Sequence, residues 1–166
     1  MHSFLAKTDI ESAFRIIPVH PDYHCYLGMQ WEGAIYYDTC LPMGLAESCR
    51  IFEELSTALD WAAYNKLGAS AVVYVLVDFL FIEQTQARCE LMLQDFKNMC
   101  NAAGIPLARE KTVGPAQEMQ FLGITLDTIK METRLPPDKL QHCQELLQSH
   151  CTKKLGPAMS LWIPRR

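Results

Sequence analysis

The 166-residue chain is 49% hydrophobic with a formal charge of -4 at pH 7; this is enough apolar material for one domain with a real core, and it excludes disorder over most of the length. The acidic balance, with no Lys/Arg run longer than a pair, excludes a chain-wide basic footprint, so any grip on nucleic acid is local or supplied by other parts. Seven cysteines without a CxxC pair, and no signal-peptide pattern ahead of the first apolar stretch, point to reduced thiols in an intracellular setting, cytoplasmic or nuclear; no apolar run reaches the ~20 residues of a membrane span, so no membrane partner is expected.

Phe4 to Ile10 reads as a short strand carrying Asp9 near its end, and Ser12 to Arg15 as one helical turn. Pro18 and Pro21 keep the next piece extended. Tyr26 to Trp31 and Ala34 to Tyr37 flank Glu32-Gly33 as a hairpin. Its aromatics, with Tyr23, Tyr26, Trp31, Tyr36 and Tyr37, serve either cross-strand packing or a stacking surface for a base. After the turn around Pro42 to Gly44, a helix is predicted from Ala46 to Lys66, with Ile51, Phe52, Leu55, Leu59 and Ala62 as its apolar stripe and Gly68 ending it.

Ala71 to Ile82, AVVYVLVDFLFI, is a β-branched and aromatic run broken by one carboxylate, Asp78. It reads as a hairpin of Val72 to Leu76 and Phe79 to Ile82, with Val77 and Asp78 at the turn. A second helix follows from Gln84 to Ala103, with Leu91, Phe96 and Met99 facing inward. Ile105 to Pro115 is expected to be a loop containing Lys111, and Phe121 to Leu126 with Lys130 to Arg134 a hairpin around Asp127 and Thr128. Pro137 starts a last helix, Asp138 to His150. Residues 1-150 make one domain and 151-166 an irregular tail. Strands and helices in alternation imply an α+β fold around an antiparallel sheet.

A carboxylate inside an apolar run costs several kcal/mol unless it reaches water, a donor or a cation. Asp9 and Asp78 both sit at strand ends. On adjacent strands they would converge and chelate a hard divalent cation through oxygen.

At this point the order of signals resembles the palm of a reverse transcriptase, especially those of DIRS-type and gypsy-type retroelements, over about Leu5 to Leu147. KTDIESAF resembles the family's first motif, LPMGLAESCRIF the second, VLVDFLF the third, and GIPLAREKTVGP and FLGITLDT the fourth and fifth. Any one is weak; five in the right order make chance improbable. The resemblance implies an RNA-directed DNA polymerase with a ferredoxin-like core, using two Mg²⁺ or Mn²⁺ ions to clamp attacking and leaving oxygens. It implies Asp9 and Asp78 as metal ligands, Lys111 as a cation or proton donor near the leaving group, Phe14, Gly44 and Arg50 at the nucleotide, and Phe121, Leu122 and Gly123 at the primer. Its partners would be an RNA or DNA template-primer and dNTP.

The chain departs from that pattern where the family's turn carries two adjacent aspartates: the first is Val77 here. A ligand worth about 4 kcal/mol of transition-state stabilisation, if lost, slows the reaction about a thousandfold. Val75 replaces a tyrosine and Cys49 stands where proline often occurs. The expectation is a truncated, degenerate retroelement copy with fingers and thumb largely missing. The alternative is a palm kept as a non-catalytic scaffold for nucleic acid or protein. A zinc module is a third reading, because Cys143 and His150 share nearly one helical face beside His142 and Cys151.

Overall fold

Strand β1 (Phe4–Asp9) lies inside the sheet with neighbours on both sides. The computed structural model describes residues 2–152. After β1 come two 3₁₀ segments (Ala13–Ile16 and Pro21–Leu27), the hairpin β2 (Gly28–Trp31) and β3 (Ala34–Tyr37), helix α1 (Ala46–Asn65), and the hairpin β4 (Ala71–Val75) and β5 (Asp78–Glu83). Helix α2 (Gln86–Ala102) and a 3₁₀ turn (Arg109–Lys111) lead to β6 (Val113–Ala116). The meander β7 (Glu118–Phe121), β8 (Ile124–Asp127) and β9 (Glu132–Arg134) precedes helix α3 (Pro137–Thr152).

The main sheet has the order β4-β5-β1-β6 with antiparallel neighbours. Taken with the helices, β1-α1-β4-β5-α2-β6 is the split βαβ arrangement of a ferredoxin-like core. Strand alternation divides the labour. Ala6, Phe79 and Phe81 join Phe52 of α1 and Met92 and Phe96 of α2 in the main core, while Leu5 and Leu80 on the other face pack with Met119 and Phe121 of the meander. The Phe96 ring lies 4.9 Å from Phe81 and 5.2 Å from Phe79 between centroids, a distance at which aromatic pairs attract beyond simple burial.

Several expectations are corrected. The β4–β5 turn is Leu76-Val77, with Leu76 in left-handed backbone at φ 51°, and Asp78 is the first residue of β5 rather than part of the turn. Leu91 on α2 is exposed, and the buried stripe is Cys89, Met92, Leu93, Phe96 and Cys100. The segment before Gly28 is 3₁₀ helix rather than strand, where Pro21 at its start favours a turn of helix. The expected loop to Pro115 contains β6, whose Gly114 lies against β1. The expected strand Phe121 to Leu126 is broken at Leu122-Gly123, both with positive φ, a tight hairpin turn. Helix α3 runs to Thr152, and the rest of the expected tail lies outside the described residues.

The six described cysteines carry free thiols, and burial pushes those of Cys89 and Cys100 up to about 11 and about 12. Among the described residues no helix is long and apolar enough to cross a membrane.

Candidate active site

Asp9 ends β1 and Asp78 begins β5, and the two are directly paired across the antiparallel ladder. Residues 5, 7 and 9 of β1 and 78, 80 and 82 of β5 share the sheet face that the meander partly covers. Leu5, Leu80 and Ile82 fill the covered part of this face; Asp9 and Asp78 sit where the cover ends, in a small cavity of about 180 Å³. Lys111, Phe121 and Leu122 also line it.

Lys111 is aimed by backbone. Ala108 N donates to Asp9 O at 2.9 Å, Lys111 N to Ala108 O at 3.3 Å, and the Thr112 hydroxyl to Ala108 O at 2.8 Å. The Thr8 and Thr112 hydroxyls meet at 2.8 Å. These bonds stitch the 108–112 turn to the end of β1, and the Lys111 ammonium donates to Asp9 Oδ2 at 3.0 Å. The Asp9 side chain is only 9% exposed, so the ion pair compensates a carboxylate that has lost most of its water.

Burial holds the Asp78 carboxyl above the usual carboxylate range, and the nearby Asp9 charge adds to the shift while Lys111 opposes it. The hydrogen bond to Asp9, with the Asp9 charge, raises the Lys111 pKa. Lys7 is on Asp9's face and lines the same cavity, its ammonium donating to Gln120 O at 2.6 Å. Sequence reasoning passed over Lys7, although its place two residues before Asp9 on a strand was signal enough.

The predicted residues thus fall into two groups. Asp9, Asp78, Lys111, Phe121 and Leu122 come together, with Gly123 completing the β7–β8 turn and its carbonyl accepting from Lys139 at 3.4 Å. Phe14 instead packs edge-on against Phe52, 5.5 Å between ring centroids. Gly44 lies in the exposed turn before α1, and Arg50 is held on the helix surface by Glu47 and Glu54. Lys111 stands beside Asp9 in the cavity because the 108–112 turn is tied to β1. Glu11 lines a separate cleft of about 710 Å³ with Lys97 and Arg109.

Val77 packs against the main core beside the helices, and its carbonyl accepts from Ile10 N at 3.0 Å. It supplies no side-chain oxygen. Among the described residues no group of three or more His, Cys, Asp or Glu gathers as a metal cage. Cys143 is exposed, and the His150 ring contacts Leu146 O at 2.9 Å. The donor set Asp9 plus Asp78 fits a single Mg²⁺ or Mn²⁺, which commonly binds through one or two carboxylates with waters and phosphate completing the shell.

This sheet, with paired carboxylates at one end of its two central strands, is a polymerase palm. Residues 1–126 match the family model of the reverse transcriptase (RNA-dependent DNA polymerase), and the chain belongs to that family. It is 25% identical over 126 residues to the Gag-Pro-Pol polyprotein of human T-cell leukemia virus 2, covering 72% of this chain and 9% of the polyprotein. The foamy viral protease-reverse transcriptase in complex with an RNA/DNA hybrid superposes with a TM-score of 0.73 at 20% identity, over 83% of this chain and 18% of that one. The same viral enzyme with dsDNA gives 0.69 at 22% identity, over 83% and 28%. These structural likenesses show the fold. The chain spans less than a third of the length of the relatives it matches.

Proposed function

We propose that residues 1-150 are the palm of a DIRS-type or gypsy-type retroelement reverse transcriptase whose nucleotidyl transfer is impaired by Val77. The observation that carries this reading is the paired but incomplete carboxylate set: Asp9 faces Asp78, while Val77 packs into the core. Asp9 and Asp78 would hold one Mg²⁺ or Mn²⁺, and a bound ion would supply Lewis-acid stabilisation of phosphate oxygens. Phe121 and Leu122 at the cavity rim would support the primer end. Lys111, Phe14, Gly44 and Arg50 keep the roles the family resemblance implies for them, with template-primer and dNTP as ligands and an intracellular setting. A site short of the carboxylate that Val77 replaces would stabilise the leaving group poorly, and turnover drops about a thousandfold for each 4 kcal/mol lost.

The test is primer extension on an RNA template with Mg²⁺ or Mn²⁺, comparing the chain with Val77→Asp, each checked for folding by circular dichroism. The expected result is silence from the chain and measurable extension by the variant. Extension by the unmodified chain at an ordinary polymerase rate overturns the impaired-site reading.

One observation favours the scaffold reading: all eight residues of β2 and β3 are exposed, Trp31 at 65%, Ile35 at 78% and Tyr36 at 51%. Aromatic faces in the open stack on bases at about 1–3 kcal/mol each. This reading predicts template-primer binding without turnover, lost when Trp31 and Tyr36 become Ala, as read by fluorescence anisotropy.

A further inference from the structure

We propose that Lys111 is a built-in counter-cation that occupies Asp9 and competes with a divalent metal for it. The inference rests on the reading of Asp9 and Asp78 as the metal-ligand pair, and it assigns the site a way of being held closed to metal.

Three observations carry it. The Lys111 ammonium is 3.0 Å from Asp9 Oδ2, one of the two oxygens that carboxylate can offer. The Asp9 side chain is 9% exposed against 59% for Lys111, so the carboxylate is fixed in the sheet while the lysine head has solvent to swing into. Finally, the turn that carries Lys111 is fastened to β1 by Ala108 N, and to Thr8 through Thr112, so the backbone from which the lysine reaches is held beside Asp9.

The charge balance explains why the competition matters in this chain. With valine at position 77, Asp9 and Asp78 are the two facing carboxylates of a cavity that Glu110 and Lys7 also line, and the Lys111 ammonium already answers Asp9. A cation entering between Asp9 and Asp78 must displace that ammonium from Oδ2 or tolerate it at contact distance. Two positive groups a few ångströms apart repel by about 1 kcal/mol or more per unit charge product even in high dielectric. Because the Lys111 ammonium already holds Asp9 Oδ2, Lys111 and the metal are rivals for that ligand.

The experiment is a Mn²⁺ titration of the full chain, followed by the electron paramagnetic resonance signal of free Mn²⁺, with no template, primer or nucleotide. Lys111→Met and Lys111→Gln, both at an exposed position, are compared with the unmodified chain, and thermal melts confirm that each folds. Both variants are expected to bind about tenfold more tightly, and adding Asp9→Asn to Lys111→Met is expected to abolish the gain. Equal or weaker affinity in the Lys111 variants overturns the proposal, as does a gain that survives Asp9→Asn or the absence of measurable binding by every chain. Because no polymerisation is read, failure here is distinct from failure of the impaired-polymerase reading, which primer extension alone decides.

Discussion

The Ser56 hydroxyl, fully buried in the middle of α1, donates to Leu76 O at 2.6 Å and so fastens the helix to the turn that leads into Asp78. Leu76 is held at φ 51°, a conformation that costs a non-glycine residue about 1 kcal/mol or more and persists only when its surroundings insist on it. Ser56→Ala leaves that carbonyl without its donor and is expected to cost about 1–2 kcal/mol in denaturant unfolding. The sharper measurement is amide exchange at Ile10, whose N–H is bonded to Val77 O at 3.0 Å. Its exchange should quicken more than that of the β1 amides; an equal change at Ile10 and along β1 would show that Ser56 supports the helix and not the turn.

Gly114 and Gly44 both have positive φ but predict unequal consequences. A Cβ on Gly114 would lie 2.6 Å from Ala6 Cα and 2.7 Å from Leu5 O, both backbone atoms of the central strand, at φ 127°. Gly114→Ala must therefore push β6 off β1, and a loss of about 3 kcal/mol or more is expected. Nothing lies within 4 Å of the corresponding position on Gly44, at φ 91°, so Gly44→Ala costs only the backbone conformation, about 1–2 kcal/mol. Urea midpoints of the two variants measure the contrast; similar midpoints would mean that β6 does not press on β1 as described.

The βαββα order through α2 was legible because period-2 and period-3.6 patterns alternate cleanly along that part of the chain. Asp9 and Asp78 stood out because a carboxylate in an apolar strand demands a reason. What the patterns missed has physical causes. The deepest stripe of α1 includes Ser48 and Ser56, which hydropathy ranks as surface residues, yet each buries its hydroxyl by donating to a carbonyl, Pro42 O and Leu76 O. Strand β6 contains Gly114-Pro115, a pair that reads as a loop. Asp78 was placed in the turn because aspartate favours turns, but the backbone ladder of β5 begins at Asp78 and pairs it with Asp9, whose repulsion the charge of Lys111 opposes. The Lys111 contact depends on backbone bonds from the 108–112 turn to β1, which no local pattern encodes.

Asp127 ties the meander together in the same way that Lys111 ties the site, and its pH response has a definite sign. One oxygen accepts from Ile129 N and Lys130 N, each at 3.0 Å, and the other from Arg134 at 3.2 Å. The backbone N–H of Lys130 is the largest cause holding its carboxyl below the ordinary value of 3.8, burial opposes it, and Arg134 and Ile129 add to the lowering. The unfolded chain therefore binds more protons than the folded one across this window, so stability rises with pH. The contribution is fully present above the unfolded carboxylate pKa and is lost as pH falls through the lower folded value. Asp127→Asn keeps one oxygen for the two backbone donors but removes the charge that answers Arg134. Thermal melts from about pH 7 down to about pH 2.5 should show the unmodified chain melting higher at neutral pH, with the gap closing only in strong acid. A gap that stays constant to the lowest pH would show that Asp127 acts through hydrogen bonding alone and that its charge adds nothing to the meander.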